Sequence, residues 1–457
     1  MKKHIGWSYT PFKPLLSDCG DIYISRVAPD VDKIELSWLP VDGKCAVFYR
    51  KKHETVFQKA GETVKNHFVI NNLTENEEYA FYVTCNEKKS LVRLARCGAF
   101  EGDVVVNYLH PEDNAYYFSG QYLCSPSIVR HPEGFLLASM DLFKGNYPQN
   151  LTLIYRSDDN GKSWQYVSEL FPAFWSKMFI YQNELYVLAV STEYGDLLIG
   201  KSVDGGKSFT EPVVLFRGCN GKNESVGVHK NPQPVVEFND RIWNTMEWGS
   251  WGAGYHAAMV MSAPIGCDLL NPENWMFSEP VKYNPEWVGV AKGPSTGNIE
   301  GCLVVKDNQL YNVMRYDMRK TEPCYGLAVV YKVDTENPEN PLKYEKCIQF
   351  PANHSKFVIK FDERTEKYYT IASRIIDAEH KTARTLLSLM SSSDLENWVV
   401  EKDVINMLDK NPDKYGYQYV DFEIEGDEII FLCRTATNGA QTYHDTNYIT
   451  FNRIKIE

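Results

Sequence analysis

The 457-residue sequence carries 48 Lys and Arg against 60 Asp and Glu, a formal net charge of −12, which excludes the basic surface that nucleic-acid phosphates demand. Apolar residues at 44% and aromatics at 13% provide for a packed core and exclude a wholly disordered chain. No apolar run reaches membrane-spanning length, and the opening MKKHIGWSYTPFKPLL has neither the apolar centre nor the small-residue cleavage site of a secretory signal. The eleven cysteines occur singly, mostly inside apolar stretches such as GCLVV at Cys302 and FLCR at Cys433, with no CxxC spacing. Reduced, buried thiols, no structural zinc site and a cytoplasmic location are therefore expected.

Residues 1–19 read as an N-terminal segment. From 20 to 99 short alternating runs follow one another: IELSW, CAVFYR, HFVI and EYAFYVTC. Four to seven short strands at this spacing predict a small antiparallel sandwich, with Trp38 supplying the large aromatic its core needs. Leu73 and Tyr79 flank the turn TENEE, and this arrangement resembles the Leu…Tyr corner of fibronectin type III domains. The resemblance implies a spacer or docking module without chemistry of its own.

From 100 to 457 the pattern repeats. Six openings each give an apolar strand, a tight turn and a second apolar strand: SPSIVRHPEGFLLASMD, KMFIYQNELYVLAVSTE, NPQPVVEFNDRIWNTMEW, EGCLVVKDNQLYNVMRY, KFVIKFDERTEKYYTIASR and YVDFEIEGDEIIFLCR. A third strand with a polar turn and an aromatic follows in LIYRSDDNGKSW, LIGKSVDGGKSF, MVMSAPIGCDLLNPENW and LLSLMSSSDLENW. The last unit stops one strand short, and GDVVVNY at 102–108 can fill it and close a ring. Six radial four-stranded units predict an all-β, six-bladed propeller after the sandwich.

In the polar turn, Ser157 and Asp159 can bond within the hairpin, Gly161 supplies a positive φ and Trp164 folds back between blades. SDDNGKSW and SVDGGKSF resemble the Asp-box of sialidase-type (BNR) propellers. In that family the box lies at the blade periphery, so the resemblance implies fold and not site.

In a propeller the chemistry lies on the face where first strands start and second strands end. The second strands end at Asp141, Glu193, Glu247, Arg315, Arg374 and Arg434: three acids on consecutive blades, then three arginines. This segregation predicts a two-sided pocket, with a cationic wall for a carboxylate and an acidic wall for proton transfer or hydroxyl binding. The first-strand starts add Lys177, His229, Lys230, Glu300, His354, Lys356, Tyr417 and Gln418. His229 and His354 stand among polar residues, where a neutral imidazole can act as acid or base. His444, next to Asp445, is a weaker candidate. No nucleotide-binding glycine loop, EF-hand spacing or HExxH helix occurs, so no cofactor is expected.

The resemblance to sialidases implies a tyrosine nucleophile activated by a glutamate, three arginines holding the substrate carboxylate, and an aspartate as acid/base. EGCLVVKDNQLYNVMR is similar to the family segment that carries the glutamate and one arginine, which points to Glu300 and Arg315. YQYVDFEIEGDEIIFL is similar to the tyrosine strand and points to Tyr417. Arg374, Arg384 and Arg434 compete for a further arginine. The family's Arg-Ile-Pro is replaced by Cys124-Ser125-Pro126, and its aspartate loop by GNYPQN, with Gln149 and Asn150. These departures argue against sialic acid and for another acidic or deoxy sugar.

The first reading is an exo-acting glycoside hydrolase on an oligosaccharide, with Tyr417 and Glu300 as nucleophile pair and Asp141 or Glu247 as acid. The alternative is a lyase cleaving uronate linkages by β-elimination with His229, His354 or Tyr417 as base and the arginine wall neutralising the uronate. The third is a non-catalytic glycan-binding protein with Trp248, Trp251 and Tyr255 as a sugar platform. An oligosaccharide is the partner in all three.

Overall fold

The computed structural model describes residues 20–219 and 225–456; the segment 1–19 lies outside them. The alternation of IELSW becomes an alternation of burial, with Ile34, Leu36 and Trp38 inside and Glu35 and Ser37 half-buried. Ile34–Trp38 lies between Ile24–Pro29 and His67–Ile70 in one sheet. A second sheet orders Gln58–Thr63, Cys45–Lys51 and Glu78–Cys85, with Lys88–Lys89 and Arg93–Arg96 both paired to Glu78–Cys85. Trp38 packs between the sheets with Leu36, Val47, Tyr79 and Phe81. The Tyr79 hydroxyl accepts a bond from the Thr74 N–H at 2.8 Å.

Six sheets follow, and each meanders outward from a common axis. Blade I is Tyr122–Arg130, Leu136–Phe143, Thr152–Ser157 and Gln165–Leu170. Blade II is Phe174–Tyr181, Glu184–Val190, Leu197–Ser202 and Val213–Phe216. Blade III starts with two short pieces, Gly227–His229 and Val236–Phe238, then Arg241–Ser250, Tyr255–Pro264 and Met276–Phe277. Blade IV is Asn298–Lys306, Gln309–Tyr316, Leu327–Lys332 and Lys343–Gln349; blade V is Lys360–Asp362, Lys367–Ser373, Leu386–Ser392 and Val399–Asn406. Blade VI takes Gly416–Glu425, Glu428–Ala436 and Tyr448–Lys455, and its outer strand is Val104–Tyr108 from the start of the ring. That pairing joins the start and the end of the ring in one sheet. Inner and second strands are buried almost end to end because neighbouring blades cover both faces.

The sandwich is clamped to this seam. Its core cluster runs on into Val105, Tyr108 and Tyr448. Arg26 donates to the carbonyls of Val106 at 2.9 Å and Val105 at 2.7 Å, and buried Arg93 pairs with buried Asp113 at 2.6 Å.

The polar turns close through their own side chains. Ser157 Oγ donates to Asp159 Oδ1 at 2.8 Å and accepts from the Gly161 N–H at 2.8 Å. Asp159 also accepts from the Ser163 N–H at 2.9 Å and hydroxyl at 2.6 Å. Ser202, Asp204, Gly206 and Ser208 repeat these bonds in blade II. Trp164 tucks against Phe451 of blade VI, with ring centroids 5.6 Å apart. Gly161 has φ +88°, and a Cβ there would come 2.2 Å from the Phe451 ring. Gly161→Ala is therefore expected to cost about 1–3 kcal/mol, read as a lowered denaturation midpoint with an unchanged denaturant slope.

Candidate active site

Four blades begin with the same irregularity. The pairing register of the inner strand breaks between Cys124 and Ser127, Phe174 and Lys177, Ile299 and Gly301, and Gln418 and Asp421. At each break one residue has a left-handed backbone: Ser125 (φ 46°), Trp175 (φ 52°), Glu300 (φ 58°) and Tyr419 (φ 54°). Such a conformation is costly for a residue with a side chain and persists where regular pairing on both sides enforces it. The bulges re-aim these side chains.

Tyr419 and Glu300 meet as a result. The Tyr419 hydroxyl donates to Glu300 Oε1 at 2.6 Å. Arg315 Nη1 donates to Glu300 Oε2 at 2.6 Å and lies 3.4 Å from the Tyr419 oxygen. Burial pushes the Glu300 carboxyl up, but Arg315, His229 and the Tyr419 hydroxyl outweigh it and hold it below its usual value. Burial and the Glu300 charge push Tyr419 up to about 12, against the pull of Arg315, Arg384 and Arg434. The resting pair is thus a neutral phenol donating to a carboxylate.

Two more arginines face the same ring. The guanidinium carbon of Arg434 lies 5.0 Å and that of Arg384 5.8 Å from the Tyr419 ring centre. Arg434 is anchored by Thr446 Oγ1 at 3.3 Å and by the His444 carbonyl. Arg384 is buried and donates from Nη2 to the His354 carbonyl at 3.2 Å, whereas its Nε and Nη1 have no hydrogen-bond partner among the described residues. Burial, with Arg315 and Arg434 nearby, lowers Arg384 to about 10. Blades IV, V and VI therefore present three guanidinium groups around one phenol.

The opposite side is acidic and aromatic. His229 Nδ1 is 2.6 Å from Glu247 Oε2, and its ring lies 4.3 Å from that of Trp175. Glu247 Oε1 accepts from the Gly301 N–H at 3.1 Å, just past the Glu300 bulge. His256 Nε2 is 3.1 Å from the Tyr194 hydroxyl, and burial, then His229 and Arg315, keep its imidazole neutral. Glu193 Oε2 accepts from Gln149 Nε2 at 2.8 Å, and burial raises the Glu193 carboxyl.

Several expected residues lie elsewhere. The Tyr417 hydroxyl donates to Glu101, and its carbonyl accepts from Ser373 Oγ at 2.6 Å; Tyr419, within the bulge, makes the bond to Glu300 expected of Tyr417. Gln418 turns to the Tyr443 carbonyl. Arg374 bonds Ser388 at 3.0 Å and Asp403 at 2.8 Å within blade V, and Arg384 stands at the phenol instead. Asp141 is fully buried, accepts from Thr152 Oγ1 at 2.5 Å and braces the backbone of Trp175 and Ser176. Trp248 meets Phe216 edge-on at 5.7 Å between blades. Half-exposed Trp251 sits over His256 at 4.7 Å, and Tyr255 lies under Lys282. His354 is turned by its Nδ1 to the Lys381 carbonyl, and burial, then Arg315, lowers it to about 4. Burial, then Arg434, likewise lowers His444 to about 4 beside Asp445.

Lys177, Lys230 and Lys356 are buried near one another. Lys177 pairs with Asp421 at 2.6 Å, Lys230 donates to Asn244 Oδ1 at 2.6 Å, and Lys356 reaches the Val420 carbonyl at 3.3 Å. With no exposure, Lys230 and Lys356 cannot meet a ligand in this conformation. Burial and the other two lysines lower Lys230 to about 7. The charged form is therefore penalised in the folded state below pH 7, and the penalty fades as pH rises towards the unfolded-state value near 10. Unfolding free energy at pH 6.5 and pH 9 is expected to rise more for the wild type than for Lys230→Met.

No family model matches this sequence, and no curated protein matches it. Among solved structures, the α-L-arabinanase of Penicillium chrysogenum complexed with arabinobiose is similar at a TM-score of 0.52 and 14% identity, over 78% of this chain and 98% of that one. The leech intramolecular trans-sialidase complexed with 2,7-anhydro-Neu5Ac is similar at a TM-score of 0.50 and 9% identity, over 98% of this chain and 93% of that one. The fold is an all-β propeller of the sialidase-like and arabinanase-like kind. No helix among the described residues is long and apolar enough to cross a membrane.

Proposed function

We propose that this protein is an exo-acting glycoside hydrolase that removes a carboxylate-bearing sugar from an oligosaccharide. The observation that carries the reading is the Tyr419–Glu300 bond of 2.6 Å inside a ring of three arginines. A phenol is a weak nucleophile unless a base takes its proton as it attacks. Glu300, kept ionised by Arg315, is that base. Arg384, with two unpaired buried donors, and Arg434 bind the carboxylate, because permanently charged guanidinium N–H groups donate strong bonds to carboxylate oxygens. The arginine ring favours an acidic sugar over a deoxy sugar. Cys124 stands where the sialidase resemblance puts the arginine that opens blade I, so sialic acid is one member of the substrate panel and not the presumption. Both similar structures hold saccharides, an arabinobiose and a 2,7-anhydro-Neu5Ac, which suits a carbohydrate-active protein.

The same reading takes residues 20–99 as a fibronectin III-like spacer, 100–457 as the catalytic propeller, and the Ser157–Asp159 and Ser202–Asp204 turns as Asp-boxes. A second reading rests on the His229–Glu247 dyad at 2.6 Å: an imidazole oriented by a buried carboxylate is a base suited to β-elimination. The deciding experiment offers 4-methylumbelliferyl glycosides of N-acetylneuraminic, glucuronic and galacturonic acids, and uronate oligosaccharides. Fluorophore release without absorbance at roughly 235 nm, where the product of base-driven elimination absorbs, supports the hydrolase. A rise at that wavelength supports the lyase. No product from any member, with glycan binding retained, overturns both in favour of a binding protein.

A further inference from the structure

The Tyr419–Glu300 pair supplies a nucleophile and its base but no acid for the departing oxygen. We infer that Glu193, on blade II, is the catalytic group that protonates the leaving group and later activates water; the inference rests on the hydrolase reading above. The loop of blade I in which the sialidase resemblance puts an acid holds Gln149, buried, with φ 51°. Its Nε2 does not end in solvent. It donates to Glu193 Oε2 at 2.8 Å, so the amide where an acid was expected holds a carboxyl from the next blade. Thr192 Oγ1 donates to the Pro148 carbonyl and ties the same two loops together.

The other carboxyls around the pocket are engaged or, like Asp141 with its unpartnered Oδ2, fully sealed from solvent. Glu300 holds Arg315 and Tyr419, Glu247 holds His229 and the Gly301 N–H, and Asp141 is sealed against Thr152. Asp445 is bound to His444. Glu193 keeps Oε1 without a hydrogen-bond partner among the described residues and retains partial exposure. Its setting also favours the neutral acid: burial raises the carboxyl, and the Gln149 amide and then His229 oppose this only in part. A general acid must be protonated at rest and a base afterwards, and a carboxyl half withdrawn from water meets both needs.

The step balances. The Tyr419 oxygen bonds to the anomeric carbon as its proton passes to Glu300. The bond from that carbon to the leaving oxygen breaks, its electron pair stays on the oxygen, and the Glu193 proton joins it. In the second half Glu193 takes a proton from water, the water oxygen bonds to the anomeric carbon, and the bond to Tyr419 breaks. The phenolate then recovers its proton from Glu300. Substrate and water are the sole reactants.

The test uses two glycosides of whichever panel sugar the wild type cleaves: the 4-methylumbelliferyl glycoside, whose leaving group needs little protonation, and the methyl glycoside, whose leaving group needs it fully. Glu193→Gln is expected to lose about 100-fold or more on the methyl glycoside, the scale of a lost general acid, and less than about 10-fold in the first turnover of the aryl glycoside. Because the second half also lacks its base, the aryl substrate should give a burst and a sugar adduct on Tyr419 visible by mass spectrometry. Equal losses on both glycosides, or no loss on either, overturn the assignment of Glu193. Tyr419→Phe separates the two ideas: it should lose both glycosides equally, and its retention of activity overturns the nucleophile while leaving the leaving-group test of Glu193 valid. Failure of the wild type on every glycoside of the panel overturns both.

Discussion

Tyr419→Phe is expected to lower turnover by at least on the order of 10³-fold, the scale seen when a covalent nucleophile is removed, while Tyr417→Phe leaves turnover within a few-fold. The two tyrosines are two residues apart on one strand and differ in what the bulge does to them. Tyr417 precedes the register break and gives its hydroxyl to Glu101. Tyr419 sits within it at φ 54° and gives its hydroxyl to Glu300 at 2.6 Å. Tyr417→Phe removes one half-buried hydrogen bond to a carboxylate, and the expected cost is about 1–3 kcal/mol of stability, visible in the denaturation midpoint and not in kcat. Glu300→Gln keeps the shape and removes the base, so a loss of about 10²- to 10⁴-fold is expected. The measurement is kcat on the cleaved panel glycoside, with the denaturation midpoint as a folding control. A Tyr417→Phe variant that is folded but inactive would return the nucleophile to the residue that the strand pattern suggests.

That contrast marks where the sequence is legible and where it is not. Strand alternation and turn chemistry are local, so six openings, four aromatic-capped turns and the filling strand at 102–108 can be read without coordinates, and the ring closes as they require. The segregation of acids and arginines is likewise a property of repeat phase. A bulge shifts that phase by one residue and leaves no mark in the apolar pattern. YQYVDF offers two tyrosines, and period-two reasoning puts both on one face. The second-strand rule also treats every charged terminus as pointing into the pocket. Arg374 turns instead to Asp403 of its own blade, and Asp141 and Glu247 reach the backbone at the next blade's bulge. Arg384, which precedes the third strand of blade V, escapes the rule altogether. Lys230 and Lys356 lie at first-strand starts, as expected of ligand contacts, but too deep to touch one.

The expected result for Arg384→Met has two signs, and this follows from its burial. In the unliganded protein Arg384 is a cation removed from water, with Arg315 and Arg434 nearby and two N–H groups unanswered among the described residues. Leaving buried donors unsatisfied costs about 1–3 kcal/mol, so replacing the side chain by an apolar one of similar length should raise the stability of the free protein by an amount in that range. The liganded state reverses the balance. A substrate carboxylate placed beside the guanidinium pairs its charge and takes up one of the unanswered N–H groups, and loss of one partner of a desolvated charge pair costs about 2–5 kcal/mol. Arg384→Met should therefore lower kcat/KM on an acidic glycoside by about 30-fold to several thousand-fold while the denaturation midpoint without ligand rises. Arg374→Met, whose partners are Ser388 and Asp403, should change neither kcat/KM nor substrate preference. Unfolding curves and kcat/KM taken on the same preparations separate the outcomes. A variant that loses stability and activity together would show Arg384 to be a structural cation, and one that gains stability with activity intact would move the carboxylate to Arg315 and Arg434.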